Sequence, residues 1–83
     1  PGVHAAALAT LQDVSAGRAF CGLGVGAGLE PFGIDYPRPV RALRESVTAI
    51  RELLAGQRVT RRGDTASFDD AALLRPPQWP VPI

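Results

Sequence analysis

A chain of 83 residues is one small domain or part of a larger one, and a free domain of that size buries only about 60% of its unfolded surface. The hydrophobic share of 46% excludes a disordered chain, and a formal charge of +1 gives no electrostatic case for a nucleic-acid partner. No apolar run reaches the roughly 18 residues that span a bilayer and no secretory leader is visible, so no membrane partner is expected. The single cysteine, Cys21, cannot close an internal disulfide, which fits a reducing compartment, the cytoplasm.

The chain opens on Pro1, Gly2, Val3 and His4 rather than Met, as an internal segment of a longer protein would. Residues 3–14 are Ala-rich, with Leu8, Leu11 and Val14 spaced by three, and are predicted to form a helix. Gly17 stands where a left-handed cap would end it. Residues 18–24 follow. Ala19, Phe20, Cys21 and Leu23 leave them apolar on both faces, the pattern of a buried parallel strand. A loop rich in Gly and Pro leads to Pro39, which suits the first turn of a new helix. That helix is predicted over 40–55, with Val40, Leu43, Val47, Ile50 and Leu54 as its apolar stripe. Arg41 and Glu45 read as an i,i+4 pair on its opposite side, and Gly56 as its C-terminal cap. Residues 58–61 and 65–68 are expected to pair as a hairpin around Arg62, Gly63 and Asp64. Asp69 or Asp70 is then expected to cap a short helical turn that Arg75, Pro76 and Pro77 break. The last residues, 80–83, look like the approach to another apolar strand.

The order is helix, buried strand, helix, hairpin excursion and incoming strand. Such alternation belongs to α/β folds with a parallel sheet. One strand makes no sheet, so most of the fold is expected outside this piece.

The run Gly22, Leu23, Gly24, Val25, Gly26, Ala27 and Gly28 is the main chemical feature. Glycines at a strand's end let backbone N–H groups approach a phosphate, and equally serve a tight structural turn. The run is not a dinucleotide fingerprint, because a Pro-bearing loop and not a helix follows it. Asp35 and Tyr36 sit in that loop, as ligand contacts or as loop packing. His4 reads as a helix-surface histidine, Cys21 as an inert buried thiol and Trp79 as a packing plug. Arg58, Arg61 and Arg62 read as a solvated hairpin surface. No metal cluster and no nucleophile–base set can be assembled, so catalytic and substrate residues are expected outside the segment.

These residues together resemble the luciferase-like monooxygenase superfamily. The likeness is carried by Leu11 to Arg18, then Phe20 and the glycine run, and by Pro31, Phe32, Gly33 and Ile34. It continues through Pro39, Arg44 and Glu45, then Ile50 to Gly56, Val59, Gly63, Phe68 and Pro80 to Ile83. The phrase from Gly28 to Val40 is most similar to the branch of methylenetetrahydromethanopterin reductase and its relatives. The resemblance implies a fragment of a (β/α)8 TIM barrel, incomplete at both ends, in which these residues supply the third helix, fourth strand and fourth helix. It implies an oxidoreductase in the full-length parent that transfers hydride with the deazaflavin coenzyme F-420. The small-molecule substrate is left open, a homo-oligomer is allowed, and the isolated fragment is expected to be inactive. Gly24, Val25, Gly26, Ala27 and Gly28 are the expected cofactor-binding residues. An FMN-dependent monooxygenase is the alternative enzyme. Bacterial luciferases carry an Arg inside the glycine run that grips the FMN phosphate; Val25 stands there in this chain, which weighs against FMN. A barrel that has lost its site and serves as a structural or partner subunit is the alternative outside catalysis.

Overall fold

The computed structural model describes residues 1–26, 28–35 and 37–83. Helix α1 (Gly2–Val14) leads into an extended segment at 18–26 and a 3-10 turn at Glu30–Phe32. Helix α2 (Pro39–Leu54) follows, then strands β1 (Val59–Arg62) and β2 (Ser67–Ala71), which pair antiparallel. The fold is a small α/β unit with two helices packed against each other and a two-stranded sheet.

α1 forms where predicted, but it buries a different face. Ala5, Leu8, Ala9 and Gln12 are buried, whereas Leu11 is 55% and Val14 79% exposed. The reason is helical geometry. A step of three residues falls short of a full turn by about 60°, so the Leu8, Leu11, Val14 series drifts off the seam. Alternating steps of three and four hold it. At the C-terminus the Gly17 N–H donates to the Gln12 carbonyl at 2.9 Å and the Ala16 N–H to that of Asp13 at 3.3 Å. Gly17 is left-handed as expected (φ +84°), and Ala16 before it shares that region at φ +54°. A Cβ on Gly17 would stand 2.8 Å from the Trp79 ring, so one side of the ring packs on this turn, while the residue as a whole is 38% exposed and is no buried plug.

Residues 18–24 are extended, but they form no ladder strand and are not buried on both faces. Residues 19, 21 and 23 are half-buried, with Cys21 and Leu23 packed against the helical core. Residues 20, 22 and 24 face the other way, and Phe20 is 79% exposed. A buried parallel strand needs neighbours on both edges, and this chain supplies part of one. The Cys21 N–H donates to the Pro82 carbonyl at 2.8 Å. Two residues earlier on each segment, the Gln12 amide joins them. Its Nε2 donates to the Pro80 carbonyl at 2.5 Å and its Oε1 accepts the Ala19 N–H at 2.7 Å. Advancing along one segment advances equally along the other, so they run parallel, as the alternation of elements implied.

α2 starts with Pro39 at its first turn, and Gly56 at φ +83° ends it, as expected. The Gly56 and Gln57 N–H groups satisfy the Leu53 and Glu52 carbonyls at 3.0 and 3.1 Å. Ile50 is fully buried, but Leu53 and Ala49 complete the seam, while Val40 at its upper end is exposed. Ala5, Leu8, Ile50, Leu53 and Val59 form the core.

The hairpin exists with a longer reach than predicted. Val59 pairs with Ala71, Arg61 with Phe68 and Arg62 with Ser67, so one residue of β1 opposes two of β2 in a bulge. Asp70 occupies that bulge at φ +50° and donates its N–H to the Thr60 hydroxyl at 2.9 Å. The expected helical cap at Asp69 or Asp70 is therefore overturned. The Arg58 guanidinium grips the Asp70 carboxylate at 2.7 and 3.0 Å and draws that residue into the strand. No helix of the described residues is long and apolar enough to cross a membrane.

Candidate functional site

An open cleft of about 440 Å³ lies where the extended segment ends, within the size range of ligand sites. Leu23, Gly24, Val25 and Gly26 form its floor. One face of α2 makes a wall through Pro39, Ala42, Leu43, Ser46 and Ile50. Pro1 and His4 of α1, and Thr65 and Ala66 of the hairpin turn, close the remaining sides. The structure thus gathers three of the expected cofactor-binding residues, Gly24, Val25 and Gly26, on one surface. Ala27 lies outside the described residues, and Gly28 is exposed beyond the cleft at φ +69°.

The glycines differ in what they make room for. A Cβ on Gly24 or Gly28 would meet nothing within 4 Å, whereas one on Gly26 would stand 2.7 Å from Leu29 Cδ1. Gly26 lies outside the positive-φ glycines, so a side chain there would have to displace the Leu29 side chain but would meet no backbone strain. Among the described residues, no carbonyl or side chain accepts the N–H of Gly24, Val25 or Gly26. Backbone donors beside glycines leave room for an anionic group such as a phosphate to approach, between the side chains of Leu23 and Val25. The run supplies no basic side chain, so backbone dipoles are all it can offer.

The hairpin turn is fixed to α2 by Glu45, a role the sequence did not reveal. Its carboxylate accepts the N–H groups of Asp64, Thr65 and Ala66 at 3.1, 2.9 and 3.1 Å, and the Thr65 hydroxyl as well. The hydroxyl bond is the largest cause of a pKa lowered from 4.5 to about 2, followed by the backbone bond from Thr65. Glu45 is thus no partner of Arg41, contrary to expectation. Arg41 and Arg38 share the Asp64 carboxylate instead, with Arg38 at 3.0 Å. Gly63 makes this possible, since a Cβ there would stand 2.5 Å from the Ala66 carbonyl oxygen and 2.7 Å from Glu45 Oε2. The Arg62, Gly63, Asp64 sequence marked a turn, but nothing local said which side chain would hold it.

The other candidates fall mainly into structural roles. Arg58 and Arg61 are not merely solvated, because they pair with Asp70 and with Glu52, the latter at 2.8 Å. Hydrogen bonding from Arg61 holds the Glu52 carboxyl below its usual range. Cys21 is half-buried against the core. His4 is on the surface of α1, as expected, and also borders the cleft. Asp35 is exposed and does not line the cleft, and Tyr36 lies outside the described residues. Among the described residues, no group of His, Cys, Asp and Glu could hold a metal ion.

The whole chain, residues 1–83, matches the family described as luciferase-like monooxygenase. The chain belongs to that family. Among relatives of this luciferase-like segment is a 5,10-methylenetetrahydromethanopterin reductase from Methanolobus tindarius, 38% identical over 73 residues, covering 86% of the chain and 22% of the relative. An F420-dependent glucose-6-phosphate dehydrogenase from Nakamurella multipartita is 41% identical over 88 residues, covering 100% of the chain and 26% of the relative. A phthiodiolone/phenolphthiodiolone dimycocerosates ketoreductase from Mycobacterium kansasii is 39% identical over 87 residues, covering 96% and 24%. The luciferase-like chain therefore spans about a quarter of the length of these curated relatives.

Proposed function

We propose that this luciferase-like segment is part of a (β/α)8 barrel oxidoreductase that works with the deazaflavin coenzyme F-420, and that Gly24–Gly28 receive the phosphate-bearing tail of that coenzyme. The observation that carries the reading is the unpartnered glycine floor of a cleft at the end of the extended segment. In barrel enzymes that end of the strands bears the active site. The F420-dependent and methylenetetrahydromethanopterin-reducing relatives support the choice of coenzyme.

The bound coenzyme would supply hydride transfer with the substrate. This chain's residues would hold its anionic tail. Backbone N–H groups of Gly24, Val25 and Gly26 would donate to phosphate oxygens without a counter-charge. Leu43 and Ile50 border the same cleft and would keep water from the donors, strengthening them in a lower dielectric. Residues that touch the reacting atoms belong to strands outside this segment.

The test is titration of the full-length protein with coenzyme F-420 and, separately, with FMN, followed by absorbance. Tight binding of the deazaflavin and weak binding of FMN is the expected result. Binding of FMN alone would move the protein to the monooxygenase reading, and binding of neither to the structural one. In the same protein, Gly26→Val should raise the coenzyme Kd about tenfold or more, as loss of one charge-assisted hydrogen bond would. An unchanged Kd in folded mutant would remove the glycine run from the site.

A further inference from the structure

The hairpin turn at 63–66 is not needed to complete the hydrophobic core, whose buried members are Ala5, Leu8, Ile50, Leu53 and Val59. Its Thr65 and Ala66 nevertheless stand in the wall of the cleft. Three successive backbone N–H groups, from Asp64, Thr65 and Ala66, and one hydroxyl all point at a single carboxylate from α2. Four donors on one carboxylate tie the turn to the helix more firmly than a single bond would. Gly63 adds a steric requirement, because a side chain there would collide with both the Ala66 carbonyl and the carboxylate. Asp64 adds a second tie through Arg38 and Arg41.

We propose that Glu45 is a positioning residue of the cleft: by clamping the 63–66 turn to α2 it sets the distance between Thr65–Ala66 and the glycine floor, and so the width available to an anionic ligand. The proposal rests on the reading of that cleft as the coenzyme site. Glu45 acts through the turn and does not itself line the cavity. An amide in its place keeps the shape but turns an NH2 group toward N–H donors, so Glu45→Gln should release the turn. Gly63→Ala should release it by sterics with the charge intact. Arg44→Gln, an exposed position on the same helix, serves as the control.

The experiment uses the full-length protein at a temperature far below its melting midpoint. Coenzyme F-420 and FMN are titrated against wild type, Glu45→Gln, Gly63→Ala and Arg44→Gln, and hydrogen exchange of residues 63–66 is followed in each. Both clamp variants should exchange faster at the turn and bind whichever coenzyme the wild type accepts roughly fivefold to tenfold more weakly. The control should match wild type. Glu45→Asp, which keeps the charge on a shorter arm, should recover part of the affinity. If the turn loosens in both clamp variants while the Kd stays at the wild-type value, Glu45 is only a structural cap and the proposal is overturned. If the turn does not loosen, the clamp is not what holds it, and the proposal is overturned as well. A wild type that binds neither coenzyme would instead defeat the coenzyme reading, which the titration of the unmodified protein reveals before any variant is compared.

Discussion

Two loops border the same cleft and are built in opposite ways. The hairpin turn is tied down by side chains, with Glu45 accepting from Asp64, Thr65 and Ala66 and two arginines sharing Asp64. The glycine run has no such tie: the N–H groups of Gly24, Val25 and Gly26 meet no acceptor among the described residues. Satisfied backbone donors mark a wall, and unsatisfied ones mark a place where something else must supply the acceptor. The contrast separates a turn that this segment holds by itself from a run whose acceptors come from outside it, from the rest of the full-length protein or from a ligand.

The largest loss should come from beneath both loops. Ile50 is fully buried and joins α1, α2 and β1. Ile50→Ala in the full-length protein should cost about 2–5 kcal/mol in a urea melt. Leu43→Ala, half-buried on the cleft wall, should cost less than Ile50→Ala and weaken ligand binding more. Equal costs at the two positions would mean that the seam of α2 is placed wrongly.

Gln12 gives the next largest effect, at the end of the extended segment away from the cleft. Gln12→Met should strand the Ala19 N–H and the Pro80 carbonyl and cost about 2–4 kcal/mol, with coenzyme affinity unchanged. This residue also shows what the sequence could and could not tell. The helices were legible, because Ala content, a three-and-four spacing over 43–54, Pro39 and Gly56 are local signals. The parallel direction of the extended segments followed from the alternation of elements. The partner of each polar side chain was not legible. Nothing local marks Gln12, whose role depends on Ala19 and Pro80 being brought over it. Glu45 reads as an i,i+4 partner of Arg41 until the hairpin arrives. Asp70 reads as a helix cap until Arg58 is placed beside it. Of the candidate site, the glycine floor was legible from composition; the opposite wall depends on contacts twenty residues apart, such as that from Thr65 to Glu45.

Acid should distinguish the two loops as well. The folded-state pKa of Glu45 lies near 2, below its usual 4.5, because hydrogen bonds from Thr65 and its neighbours favour the charged form. A depressed carboxylate contributes stability that is fully present above the unfolded value and lost as pH falls through the folded one. The stabilising advantage of wild type over Glu45→Gln should therefore be constant above about pH 5 and shrink steadily toward pH 2. Thermal melts of the two proteins across that range measure it. A constant gap down to pH 2 would show that the carboxylate's charge does not hold the turn.

The smallest effect on folding is expected at the glycine floor, and it is the most informative. Gly24 lies outside the positive-φ residues, and a Cβ there would meet nothing within 4 Å in this chain. Gly24→Ala should thus change the unliganded stability by no more than about 0.5 kcal/mol, the range of surface substitutions. The same methyl group projects from a cleft-lining position beside free N–H donors. It should keep an anionic ligand from closing on those donors and raise the coenzyme Kd severalfold. Gly63→Ala, on the clamped side, should do the reverse in proportion, disturbing the fold first and the ligand only through the turn. A urea melt without coenzyme and a titration with it, run on both variants, compare the two loops directly. Were Gly24→Ala to destabilise the apoprotein by more than about 1 kcal/mol, the floor would be packed against another part of the full-length protein. Its open donors would then belong to the fold and not to a ligand.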